Sequence, residues 1–269
     1  MENRFQFEEV EGFRVGLYPN RVNGACTLYR IGDFLVDTGP PNQWRRVRKF
    51  ISEKDVSTLV LTHHHEDHAG NARRIHDVTS AKVLSHESGL DYYRNGFEIQ
   101  LYRRLTWGTP YWGLEPQSIT GDLNLQSGLL LRPIHTPGHS DDMTCFHEPN
   151  RGWLFTGDAY VSAQPKFLRC AENPILEIES LKALSKLDFQ TVFCAHRGIL
   201  RDGKRDIQRK LDYLQGMRQR VGDLAEKGLS QKEVTRRILG RESLLSYFSL
   251  FDFSKRNFIR AFWPQEVDR

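Results

Sequence analysis

The apolar positions of the first 200 residues fall in short runs separated by turns, with amphipathic stretches between several of them. Short apolar runs alternating with stripes of helical period predict a layered α/β protein. Thr27–Tyr29 and Phe34–Val36 read as two strands joined by a turn at Gly32-Asp33, and Asp37-Thr38-Gly39-Pro40-Pro41 then breaks the chain. A helix is expected from Trp44 to Ile51. Val56–Leu61 is a β-branched and aliphatic run short enough to be a buried strand, so the cluster His63-His64-His65-Glu66-Asp67-His68 sits on a strand-end loop. A helix from Ala69 to about His76 and a strand at Lys82–Ser85 complete a βαβ-like unit. Leu129–Ile134, Met143–Phe146, Trp153–Phe155 and Thr191–Ala195 read as further strands, with a helix at Ile178–Leu187 before the last.

Two regions have a different texture. Between Ser88 and Pro116, Tyr92, Tyr93, Phe97, Tyr102, Trp107, Tyr111 and Trp112 crowd an insertion-like segment. Such a stretch serves as a lid or pocket wall, or simply packs through its aromatics onto the core. After Gly203 the chain turns helical: Ile207, Leu211, Leu214, Met217, Val221 and Leu224 form one apolar stripe with Lys and Arg opposite. Ser230-Gln231-Lys232-Glu233 has the spacing of a capping box, and Ser254 is placed to cap a helix at Lys255–Trp263. The expected organisation is an α/β core over 1–203, carrying the aromatic insertion at about 88–116, and a helical extension over 204–269 packed on it.

Composition narrows the class. With 269 residues, 39% hydrophobic and 27% charged, the chain is long enough for a well-buried core. No apolar run approaches the roughly 20 residues that span a bilayer. Met1–Glu11 is polar and acidic, unlike a secretory signal, so the default expectation is a cytoplasmic protein with no membrane partner. Cys26, Cys145, Cys170 and Cys194 stand far apart without a CxxC pair, which argues for small buried side chains rather than disulfides or a thiolate metal site. Net charge is +4, but residues 201–269 hold 16 Lys/Arg against 10 Asp/Glu, leaving 22 against 24 in the rest. The basic excess is C-terminal.

Five signals carry chemistry. In His63-x-His65-x-Asp67-His68, alternate residues of an extended segment point the same way, so His63 and His65 reach a common metal. Asp67 and His68 follow where a helix starts and are directed to a neighbouring position. His139 lies in His135-Thr136-Pro137-Gly138-His139, Asp158 in Thr156-Gly157-Asp158, and His196 just past the strand Thr191–Ala195, each after an apolar run. Asp37 is placed to hold the ligand loops. His64, His76, His86 and His147 read as structural or exposed, and His135 as a residue behind the ligands.

These motifs resemble the metallo-β-lactamase superfamily, and more narrowly its glyoxalase II-like hydrolases, over roughly the first 200 residues. The resemblance implies an αββα sandwich of two mixed sheets flanked by helices, here with the C-terminal helical extension. It also implies one metal held by His63, His65 and His139, a second by Asp67, His68 and His196, and Asp158 bridging them. Imidazole and carboxylate donors without thiolate suit two Zn²⁺, with Fe or Mn possible. Water shared between such cations is acidified toward a pKa of about 7, so hydroxide is available to attack a carbonyl or phosphoryl centre. Asp67 is expected to orient it, and Tyr160 is a candidate proton donor to the leaving group.

The implied substrate is a small ester-like compound, namely a thioester, lactone or related acyl compound. A nuclease acting on RNA or DNA and an iron-dependent persulfide dioxygenase are the alternatives. Against the nuclease, the basic residues of the tail lie opposite an apolar stripe, as on an ordinary solvated helix, so nucleic acid is not the expected partner. Oligomeric state is not addressed by these patterns.

Overall fold

The computed structural model describes residues 4–264. The chain divides into two compact units. The first runs to Thr136 and adds Asp141–Val161 and Asp188–Lys204, and the second comprises Pro137–Ser140, Ser162–Leu187 and the chain from Arg205 on. The second unit therefore takes in the helix Pro174–Ser185 as well as the C-terminal helices.

The first unit is built on two mixed sheets. One has seven strands in sequence order, Arg4–Phe7, Val10–Val15, Cys26–Ile31, Phe34–Val36, Thr58–Val60, Lys82–Ser85 and Gln117–Ser118. The first four pair antiparallel, and the rest pair parallel. Parallel neighbours need a crossover. The helices Trp44–Ile51 and Ala72–Thr79 supply two of them. The other sheet has six strands in the order Gly198–Leu200, Thr191–Cys194, Trp153–Gly157, Thr144–Glu148, Leu130–His135, Leu123–Asn124.

Both faces of the seven-stranded sheet are buried, which is why its central strands read as unbroken apolar runs. Neighbours along each strand go to opposite faces. Leu28, Leu35, Leu59 and Val83 join Val47, Phe50, Ile51, Ala72 and Ile75 of the two crossover helices in one core. Tyr29, Val36, Val60 and Leu84 turn the other way and meet Leu131, Phe146, Trp153, Phe155 and Phe193 of the second sheet. The two sheets thus pack face to face, and the expected α/β architecture of two mixed sheets with helices and a helical C-terminal part is the one observed.

Most expected elements appear within a residue or two. The exceptions are instructive. The hairpin Arg4–Phe7/Val10–Val15 had no counterpart in the sequence reading, because Glu8, Glu9 and Glu11 dilute its alternation and Gly12 interrupts it. A Cβ at Gly12 would lie 2.2 Å from the ring of Phe5 across the strand pair, so a larger residue would have to displace that ring. The helix expected from Ala69 splits into Glu66–Ala69 and Ala72–Thr79. The insertion forms two helices, Leu90–Asn95 and Leu101–Trp107.

In the second unit, the helix starting at Gly203 extends to Glu226, with Ile207, Leu214 and Val221 fully buried. The capping box at Ser230 and Glu233 forms as expected. Ser254 Oγ accepts from Asn257 N at 3.1 Å, capping Lys255–Ala261. Cys170 departs from expectation: it is exposed, with Sγ 2.9 Å from Asp252 Oδ1, whereas the other three thiols are buried.

Candidate metal centre

The first unit brings four of the expected ligands into one buried cluster. The ligand atoms of Asp67, His68, Asp158 and His196 all lie within 4.8 Å of one another. Each arrives from the end of an element whose other end is anchored in a sheet. Strand Thr58–Val60 delivers the loop that carries His63 and His65 and the short helix with Asp67 and His68. Strand Trp153–Gly157 delivers Asp158, and Thr191–Cys194 delivers His196.

Gly157 makes this convergence possible. Its φ is +48°, and a Cβ would lie 2.5 Å from Met143 Cε and 2.8 Å from Thr62 Cβ. Only glycine lets the end of this strand approach the loop after Thr58–Val60 so closely.

The imidazoles are oriented by acceptors on their far side. His68 Nδ1 lies 2.8 Å from Asp37 Oδ2, and His196 Nδ1 lies 2.8 Å from the carbonyl of Ala25 and 3.2 Å from that of Val22. A carboxylate or carbonyl only accepts, so Nδ1 carries the proton and Nε2 presents a lone pair. Nε2 of His68 stands 3.3 Å from Asp158 Oδ1 and 3.7 Å from Asp67 Oδ2, and Nε2 of His196 stands 3.1 and 3.4 Å from the same oxygens. His68 Nε2 is buried and, among the described residues, has no hydrogen-bond partner. Two carboxylates and two imidazole lone pairs in a buried cluster form a donor set that a divalent cation fits.

Asp37, expected as a support, is more than that. It sits at φ +61°, an uncommon conformation for a residue other than glycine, and accepts from Thr62 N and Oγ1 at 2.8 and 3.0 Å as well as from His68. Its turn is locked by Asn71, whose side-chain amide donates to the carbonyls of Thr38, Gly39 and Pro40 at 2.9–3.2 Å. Asn71 lies outside every motif, and nothing in the local sequence distinguishes it.

Without metal, the cluster shares protons. Burial raises the Asp67 carboxyl, but His68 and His196 outweigh it and bring it to about 2. Burial likewise opposes the charged Asp158, yet His196 and His68 hold it well below the usual carboxylate range. Desolvation disfavours a charged His196, and Asp158 and Asp67 nevertheless push it well above the usual imidazole value. His68 goes the same way against desolvation, driven by Cys26, Asp158, Asp67 and Asp37. Carboxylates and imidazoles thus stabilise each other's charged forms against burial.

His63 and His65 lie beside this cluster. His63 Nε2 lies 2.8 Å from His65 Nδ1, and the His63 and His68 rings are 4.1 Å apart. His139 stands in the second unit, where its Nδ1 lies 2.9 Å from Glu172 and its Nε2 3.1 Å from Arg169 Nη2. Glu172 therefore fixes Nε2 as the lone-pair atom of His139. Gly138 precedes it at φ +142°, where a Cβ would meet the backbone of Glu177 at 2.6 Å. Arg169 and Glu172 were not anticipated, since neither belongs to a recognisable motif.

Tyr160 is buried, and its carbonyl accepts from the Cys194 thiol at 2.9 Å. Of the remaining histidines, His76 Nδ1 lies 2.9 Å from the Ala81 carbonyl, and His147 Nε2 lies 2.8 Å from that of Asp188. His86 and His135 stack on each other at 3.9 Å, with His135 Nε2 bonded to the Asp141 carbonyl. His64 is buried and bonded to Asp142 Oδ1 at 2.8 Å.

Residues 20–196 match the model of the Metallo-beta-lactamase superfamily. A lactamase-like protein, aptB, of Emericella nidulans is 31% identical over 148 residues, covering 52% of this chain and 41% of the relative. A hydroxyacylglutathione hydrolase of Idiomarina loihiensis is 28% identical over 170 residues, covering 60% and 55%. The chain spans about half the length of the curated relatives it matches. A solved metallo-beta-lactamase family protein from Thermus thermophilus superposes with a TM-score of 0.69 at 20% identity, covering 95% of this chain and 92% of that one. At that identity the likeness shows the fold alone.

Proposed function

This chain belongs to the metallo-beta-lactamase superfamily, and from that premise we propose that it is a two-metal hydrolase of a small ester-like substrate, a thioester or lactone. The observation that carries the reading is the buried cluster Asp67, His68, Asp158 and His196, with both imidazoles turned Nε2-inward by acceptors behind them. One position takes Asp67, His68 and His196. The other would take His63 and His65, with His139 as the third donor on the strength of the sequence motif, and Asp158 would be available to both. Zinc is the metal this nitrogen and oxygen donor set favours in the reading.

When bound, the metals supply a water acidified to hydroxide at neutral pH and polarise the substrate carbonyl. The chain's own residues do the rest. Asp37 and the Ala25 carbonyl keep His68 and His196 in one tautomer and one orientation, so the donors need no rearrangement as charge develops. The Asp67 carboxylate, held below the usual carboxylate range by its charged neighbours, would accept a hydrogen bond and aim the attacking oxygen. Tyr160 is the proposed proton donor to the departing group. The name of the Idiomarina relative, a hydrolase of an acyl glutathione, favours an acyl substrate on a thiol.

The test is metal content measured alongside a panel of thioester, lactone, β-lactam and phosphodiester substrates. Hydrolysis of a thioester or lactone with about two equivalents of metal is the expected result, and His65→Ala should lose both metal and activity. Turnover of the phosphodiester alone, or full activity in His65→Ala, would sink the assignment.

A further inference from the structure

The run from His63 to His68 alternates in what it touches. His63 and His65 face each other, whereas the residues between the ligands, His64 and Glu66, are held by the aromatic insertion and its neighbour Asp142. The His64 ring stacks on Tyr92 at 3.9 Å and meets Phe97 edge-on at 4.7 Å. Glu66 is fully buried and takes Arg103 Nε at 2.8 Å and Nη2 at 2.5 Å. A bidentate guanidinium–carboxylate pair fixes direction as well as distance. The helix Leu101–Trp107 is thereby fastened to the residue between two ligands.

What that helix presents to the site follows from its period. Trp107 lies one turn beyond Arg103 on the same face, and its ring centroid is 6.3 Å from that of His196. Leu101 and Leu105 are on the outer face and exposed. Trp107 is 8% exposed, against 7% for Asp67 and Asp158 and 5% for His196, so the indole is sealed no more deeply than the ligands themselves. A large apolar plane beside a metal ligand makes a recognition wall for whatever is attached to the reacting carbonyl.

We propose that Trp107 is the specificity-determining residue of this site and selects substrates whose acyl group is an apolar chain of several carbons or an aryl group. Arg103 is the positioning residue that holds the Trp107 helix in register with the metal loop through Glu66. This inference rests on the acyl-hydrolase reading above.

The experiment compares acetyl and octanoyl thioesters of one thiol on the metal-loaded protein, together with calorimetric binding of acetate and octanoate. The unaltered protein should favour octanoyl by at least about tenfold in kcat/KM, as an apolar pocket discriminates chain length. Trp107→Ala should abolish most of that preference by raising KM for the octanoyl ester, at unchanged metal content. Trp107→Phe should retain part of it, and should Trp107→Ala not fold, the partial loss in Trp107→Phe decides. Arg103→Lys should lower the preference less than Trp107→Ala does, again at unchanged metal content.

No chain-length preference in the unaltered protein, or an equal loss for both esters in Trp107→Ala, would overturn the proposal. If no acyl substrate is hydrolysed, the reaction reading fails separately. Octanoate binding more tightly than acetate, and doing so only with Trp107 present, would still support the wall, and equal binding would reject it.

Discussion

Two buried charged clusters begin one residue apart in the chain, and they are built on opposite principles. Glu66 with Arg103 is closed: two guanidinium nitrogens meet two carboxylate oxygens, and the charges cancel. Asp67, His68, Asp158 and His196 are open: two carboxylates and two imidazoles converge with their lone pairs facing inward, and His68 Nε2 has no hydrogen-bond partner among the described residues. A closed pair is satisfied by itself and acts as a rivet. An open cluster keeps its full electrostatic cost until a cation or borrowed protons enter. That contrast separates a self-satisfied polar pair from a donor set that a cation fits, without reference to any relative.

The comparison breaks first at Asp158. Replacing it by Ala removes a carboxylate central to the open cluster, and both metal content and hydrolysis should fall to background; retention of either would mean the cluster is not the centre. Next in size, Arg103→Ala leaves Glu66 as an uncompensated buried charge and should cost about 3–5 kcal/mol in urea unfolding. The double change Glu66→Leu with Arg103→Met should recover most of that loss, as expected of a rivet but not of a ligand.

Asp37→Ala should weaken metal binding by about 10- to 100-fold while leaving the ligands in place, measured by competition with a chelating dye. The protonation behaviour gives a subtler check. His68 and His196 are raised above the ordinary 6.5, so in the metal-free protein their stabilising contribution is complete below pH 6.5 and is lost as pH rises through the raised values. Asp67, lowered from 3.8 to about 2, contributes above pH 3.8 and loses its share as pH falls toward 2. From these groups, calorimetry of the metal-free protein should show greatest stability between pH 3.8 and 6.5, whereas apparent metal affinity should keep rising above 6.5 as the imidazole protons are released. The smallest effect is a control in the second unit. Asn173 Oδ1 caps Pro174–Ser185 by accepting from Ile175 N and Leu176 N at 3.0 and 3.2 Å, so Asn173→Ala should cost about 1 kcal/mol and leave the open cluster untouched.

The sequence by itself determined the layered α/β class and the residues that could serve as ligands. It did so because a strand alternates its side chains, and because ligands at a strand end keep short, regular spacings such as His63-x-His65 and Asp67-His68. It also foretold the caps at Ser230 and Ser254, which depend only on residues three apart. Only the tertiary structure decided what stands behind the ligands. The Ala25 carbonyl behind His196, Arg103 on Glu66 and Trp107 beside His196 join residues separated by 171, 37 and 89 positions, respectively. No local period connects such pairs, since their meeting depends on where whole strands and helices come to rest. The aromatic insertion places Arg103 and Trp107 on one helix face, one side chain paired with Glu66 and the other set against His196, which its local sequence does not distinguish from plain core packing.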